Sequence, residues 1–174
     1  GTGLDRYDDM MPTAWEETTG TGVATGLVTA SGVGGGTDIE WTIPADMLPD
    51  GTAAHISWSP KPDGAKTGDK AASGDANAGI DGAGWDFALS HSGAIDGLNV
   101  FGAISTIPQT QDSTLTTGKT GDKDSHVIGA TYAMGGVTVG YQESRIDLGE
   151  SDEIGTANVS TYSNQAYGIS FSVN

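Results

Sequence analysis

The feature that most restricts this chain is a period of two. In seven separate segments, large apolar side chains fall on every second residue with small or polar groups between them, the pattern of a β-strand with one apolar and one polar face. Ile39, Trp41 and Ile43 alternate with Asp38, Glu40 and Thr42. Ala54, Ile56 and Trp58 alternate with His55, Ser57 and Ser59, and Trp85, Phe87 and Leu89 with Asp86, Ala88 and Ser90. Leu98, Val100 and Ile104 follow, with Gly102 on the apolar side and Phe101 out of phase. Ile128, Ala130 and Tyr132 oppose Val127, Gly129 and Thr131, where Val127 blurs the parity. Val137, Val139 and Tyr141 face away from Thr138, Gly140 and Gln142, and Tyr167, Ile169, Phe171 and Val173 alternate with Gly168, Ser170 and Ser172. Helical spacing is rare, and 28 Gly oppose it.

The connections between these cores alternate in length. Residues 44–52, 91–97 and 133–136 are short links, whereas 60–83, 106–126 and 143–166 are long. Antiparallel strands so joined place every long connection at one end. Long structureless loops are uncommon in compact soluble domains, whereas membrane β-barrels have short turns on one side and long loops on the other. All five Lys (Lys61, Lys66, Lys70, Lys119, Lys123) and Arg145 fall in the long connections, and the strand cores contain neither Lys nor Arg. The apolar face could therefore meet lipid, and the polar face of Ser, Thr, Gly, Asn, Gln and Asp could line water. Alternation alone does not separate this from a soluble sandwich, in which the apolar faces pack together.

Composition removes other classes. With no Cys there is neither a disulfide framework nor a cysteine metal site, and no apolar run approaches the roughly 18 residues of a membrane-spanning helix. A net charge of −16 argues against nucleic-acid partners, which need concentrated Lys and Arg. No secretory leader is visible, so the expectation is a mature form or a piece of something longer.

Three stretches carry a resemblance: GWDFALSHSGAIDGLNVFGAIS (84–105), SHVIGATYAMGGVTVGYQES (125–144) and QAYGISFSVN (165–174). They look like the strand-turn-strand units of the bacterial outer-membrane general porins, and the likeness spans about 37–174. It implies an all-β, antiparallel transmembrane β-barrel, about 16 strands when complete, of which this chain is a part. It also implies a homotrimer in the outer membrane of a Gram-negative bacterium, with lipid and lipopolysaccharide around it. The function implied is passive diffusion of small hydrophilic solutes and ions, not catalysis.

In that family an inward-folded loop narrows the pore with carboxylates. The segment GLDRYDDMMPTAWEETTG (3–20) resembles such a loop, which divides the chain into 1–36, the constriction loop and its approach, and 37–174, the strands. The resemblance assigns Asp5, Asp8, Asp9, Glu16 and Glu17 to an acidic constriction that favours cations, since charged rings set selectivity in narrow aqueous channels. Tyr7 and Trp15 would pack the loop against the wall. From strand parity, Asp38, Glu40, His55, Ser57, Asp86, Asn99 and Gln142 are expected to line the pore. Trp41, Trp58, Trp85, Tyr132, Tyr141 and Tyr167 are expected to form membrane-facing aromatic girdles. The missing basic half of the constriction, the lack of a terminal aromatic and the odd strand number are what a fragment would show.

Signals for other chemistry are weak. His55, His91 and His126 lack metal-ligand spacing, and Asp86, Ser90 and His91, neighbours on one strand, alternate faces and do not converge as a triad. The acidic Gly-rich stretches at 62–84 and 118–126 lack a complete calcium-loop pattern, so adventitious Ca²⁺ is the most they suggest and no cofactor is expected. The competing class is a secreted or surface-attached β-sandwich, an adhesin or glycan-binding protein with acidic calcium-binding loops. A further alternative is a complete eight-stranded barrel in which residues 23–31 supply another strand.

Overall fold

A computed structural model describes residues 39–60, 82–108, 121–149 and 161–172. It contains seven strands: β1 (Ile39–Thr42), β2 (Thr52–Ser59), β3 (Gly84–Ser92), β4 (Leu98–Ile107), β5 (Lys123–Met134), β6 (Val137–Asp147) and β7 (Thr161–Phe171). They form a single antiparallel sheet in chain order, β1 through β7. Among the described residues β1 and β7 are its edges, so the sheet is not closed into a barrel. The constriction segment 1–36, Asp38 and the alternative strand at 23–31 lie outside the described residues.

All seven segments of alternation are strands, and the short links gather at one end of the sheet. There the connections are 43–51, which includes a 3-10 turn at Ala45–Met47, then 93–97 and 135–136. The tightest joins β5 to β6 through Gly135 and Gly136. Gly135 has φ +62°, the left-handed value that a two-residue hairpin needs at its first central position.

At the other end the strands run past the boundaries that apolar alternation suggests. β5 begins at Lys123, β6 ends at Asp147 and β7 begins at Thr161, so Lys123 and Arg145 stand within strands rather than in connections. The reason is physical: alternation marks where the outward face is apolar, and the hydrogen-bonded ladder continues where that face has turned polar. Asp124 pairs with Asp147, His126 with Arg145, and Asp147 with Thr161 in unbroken register.

Register assigns every strand residue to a face, because directly opposed residues point the same way. One face carries the large apolar groups, among them Trp58, Trp85, Phe87, Ile104, Ile128, Val139, Tyr167 and Phe171. The other is built from small residues, and its buried cluster is Ala88, Ala103, Val127 and Ile146, with Phe101, Leu148 and Tyr162 packed against it. Val127, which blurs the parity in sequence, belongs to this cluster and is fully buried. Phe101 lies opposite Gly129, where a Cβ would stand within 3 Å of its ring. A glycine across the strand is what makes room for the out-of-phase aromatic.

Candidate functional site

One face of the sheet leaves its large apolar side chains exposed. Ile39, Tyr167 and Phe171 are 64%, 72% and 67% exposed, and Trp41, Trp58, Trp85, Ile128, Tyr132, Val139 and Ile169 are exposed beside them. Buried groups include Ser57, Ser59, Asp86, Ser105, Ser125 and Ser144, every one on the small-residue face. They share the buried face with Ala88, Ala103, Ile107, Val127 and Ile146, while large apolar groups stand exposed on the other.

Across the small-residue face one register row reads Glu40, Ser57, Asp86, Ser105 and Ser125 on five consecutive strands. It is a transverse line of two carboxylates and three hydroxyls. Beside it lies a compact polar cluster. His55 Nδ1 is 3.3 Å from Glu40 Oε1 and 3.2 Å from Thr42 Oγ1, and the Thr42 hydroxyl donates to Glu40 at 3.4 Å. Of the residues expected to line a pore, Glu40, His55, Ser57, Asp86, Asn99 and Gln142 all lie on this face. Ser57 and Asp86 are buried, while Glu40, His55, Asn99 and Gln142 are half-buried.

Trp41, Trp58, Trp85, Tyr132, Tyr141 and Tyr167 all lie on the apolar face. Trp58 and Trp85 are directly opposed. Tyr141 and Tyr167 are also opposed, with ring centroids 5.0 Å apart and planes tilted by 46°. The Tyr141 hydroxyl donates to Glu143 Oε2 at 2.7 Å, and that of Tyr167 to Gln165 Oε1 at 3.4 Å. Both phenols therefore reach toward the long-connection end, from apolar neighbours toward polar ones.

The apolar band does not follow the register rows. Its upper limit, toward the long connections, is Trp58 on β2 and Trp85 on β3. On β4 it is Ile104, since Thr106 in the row of Trp85 is polar. It falls to Ile128 on β5 and to Tyr141 and Tyr167 on β6 and β7, where Glu143 and Gln165 lie one row above. The lower limit steps the same way, from Leu89 on β3 through Leu98 on β4 to Met134, Val137 and Phe171. The band is a diagonal stripe with roughly parallel sides.

The sequence reading missed the outward-facing polar patch at the upper ends of β4 to β7. There Thr106, Asp124, His126, Arg145 and Asp147 border a cavity of about 320 Å³. They share the parity of the apolar residues below them, a signal hidden once those segments are taken as loops. Among the described residues no group of three or more His, Asp or Glu is placed to hold a metal ion. Comparison with family models, with curated proteins and with solved structures yields no match.

Proposed function

We propose that this chain is part of an outer-membrane β-barrel of the general-porin type, a water-filled channel for passive diffusion of small hydrophilic solutes and ions. The observation that carries the reading is the diagonal apolar stripe. The register row of Trp85 reaches β7 at Thr161, whereas the limit of the stripe on β7 is Tyr167. That descent of six residues, at about 3.4 Å each, is about 20 Å along the strands. It is spread over four interstrand steps of about 4.8 Å, about 19 Å across them. A horizontal belt then requires strands tilted by about 45°, the inclination of transmembrane barrel strands.

Tilted so, Trp58, Trp85, Tyr141 and Tyr167 fall at one level and make the upper aromatic girdle, their polar tips toward water. The apolar rows of β5 run from Ile128 to Met134, six residues, or about 20 Å of strand and about 14 Å of height at this tilt. That height fits inside the roughly 25 Å apolar band of such barrels. A soluble sandwich accounts for less: it requires a second sheet over the apolar face, and the described residues form only one sheet.

The small-residue face is then the lumen side. Glu40 and Asp86, with Asp38 and the carboxylates of 5–17, would give the channel its cation preference. The protein works as a homotrimer among lipid and lipopolysaccharide. No part of this reading requires catalysis or a cofactor. Partition tests it: the chain should enter detergent micelles or lipid vesicles and show heat-modifiable gel mobility. A monomer that stays soluble in plain buffer would refute it.

A further inference from the structure

The register divides the three histidines between the two faces of the sheet. His91 and His126 stand on the outward face, opposite Val100 and Ile104. His55 stands on the small-residue face, in the row of Thr42 and Ala88. The surroundings differ as well. His91 Nδ1 meets the Thr52 hydroxyl at 3.0 Å, whereas His55 Nδ1 meets a carboxylate, 3.3 Å from Glu40 Oε1.

The contacts around His55 assign its tautomer. Nδ1 is also 3.2 Å from Thr42 Oγ1, and the Thr42 hydroxyl donates its own proton to Glu40 Oε1 at 3.4 Å. An ionised carboxylate only accepts, so Nδ1 is the donor in this set and carries the hydrogen of the neutral ring. The lone pair is then on Nε2. A proton added at Nε2 breaks none of the three contacts, so the pair passes from anionic to neutral with its geometry kept. Both side chains touch solvent, His55 at 16% and Glu40 at 11% exposure, so water can deliver that proton. Two strands flank β2. From β1 the titratable group facing His55 is Glu40, from β3 it is Asp86 one row above, and β2 itself adds no other.

We propose that His55 sets the charge Glu40 presents to the lumen, making the cation preference of this wall depend on pH. This rests on the channel reading given above. With His55 neutral, Glu40 and Asp86 both act on a passing ion. With His55 protonated, the imidazolium cancels the Glu40 charge at contact distance, and Asp86 acts without it. Thr42 is a positioning residue, since its hydroxyl holds Glu40 Oε1 and His55 Nδ1 together in either state. The switch needs no movement of the sheet, because the proton adds to the nitrogen that faces away from the pair.

Two measurements on the full chain test this. In micelles, the ring-nitrogen NMR shifts of His55 should show hydrogen on Nδ1 alone at pH 8 and on both nitrogens at pH 5, the span over which imidazoles change charge. In planar bilayers at low salt, the cation-to-anion permeability ratio from reversal potentials should fall about fourfold over the same span, the effect of one unit charge about 5 Å away in water. His55→Gln, whose amide can still donate to Glu40, should hold the ratio at its pH 8 level throughout. Glu40→Gln should begin at pH 8 near the level that the unaltered chain reaches at pH 5, and fall further on acidification. Heat-modifiable mobility checks that each variant has folded. A ratio that does not change with pH, a full step that survives His55→Gln, or hydrogen on Nε2 at pH 8 overturns the proposal and leaves the channel reading standing. A chain that enters micelles yet conducts no ions overturns the lumen assignment and the proposal with it. Failure to enter micelles overturns the membrane reading as well.

Discussion

The diagonal stripe makes a quantitative prediction that separates depth in a membrane from position in the sheet. Phe87 and Ile104 are opposed in one register row, yet the tilt places Phe87 at mid-height on β3 and Ile104 at the upper limit on β4. Leu98 and Ile169 likewise share a row, through Tyr132 and Val139, with Leu98 at the lower limit and Ile169 at mid-height. Arginine on the lipid face costs about 2 to 4 kcal/mol at the midplane and about 0 to 1 near the interfaces. Phe87→Arg, Val139→Arg and Ile169→Arg should therefore each destabilise the folded state by about 2 to 4 kcal/mol, and Ile104→Arg and Leu98→Arg by about 1 or less. Arg145, in the row of Phe87 and Ile104, already shows that the row itself tolerates a cation on β6. The assay is reversible denaturant unfolding in phospholipid vesicles, comparing each variant with its parent at unchanged slope. Equal penalties for Phe87→Arg and Ile104→Arg, or penalties that follow register rows, would refute the tilt and with it the membrane argument.

Other expectations can be measured in the same preparation. Gly129→Ala should destabilise by about 1 to 3 kcal/mol through overpacking, because the new methyl meets the Phe101 ring and lies 2.9 Å from the Tyr141 carbonyl oxygen. Adding Phe101→Ala should recover only the ring's part of that conflict. Gly135→Ala, with φ +62° and open space around it, should cost about 1 to 2 kcal/mol. Gly97→Ala, at φ +79°, should cost more in unfolding titrations because its methyl would collide with the Ala133 carbonyl oxygen. Glu40→Gln with Asp86→Asn should lower cation preference, read as a smaller reversal potential across a planar bilayer; unchanged potentials would remove these two from the selectivity filter.

Where the sequence was legible, one physical signal was responsible. A face that meets a nonpolar medium writes itself into alternate residues, so all seven strands, their order and both faces could be read from it. The strand ends could not. From Thr161 to Gln165, and from Glu143 to Asp147, the outward face is polar and the other face carries a single large group, Tyr162 or Ile146, so no period survives, although the ladder is continuous. Arg145 and Lys123 were misplaced in connections for this reason. Phe101 and Val127 looked like errors of phase because period-two reading assumes a uniformly polar second face, whereas that face has a small apolar cluster of its own. Residue types could locate candidates such as Glu40, Asp86 and His55. That Glu40 and Asp86 share one transverse row with three serines depends on register, which no single segment contains.

On the membrane reading proposed above, the extra length of β6 and β7 would carry the sheet farther out on one flank than on the other. On the β2 and β3 side the chain leaves the sheet at Ser59 and Gly84, immediately beyond Trp58 and Trp85. On the other side Asp147 and Thr161 each lie six residues past the tyrosines, which would set them about 14 Å above the hydrocarbon at about 3.4 Å per residue and the proposed tilt. Among the described residues the sheet therefore ends low beside the tryptophans and high beside the tyrosines. If the chain lines a channel as proposed, a solute would meet ordered sheet farther out on the β6 and β7 flank than on the β2 and β3 flank.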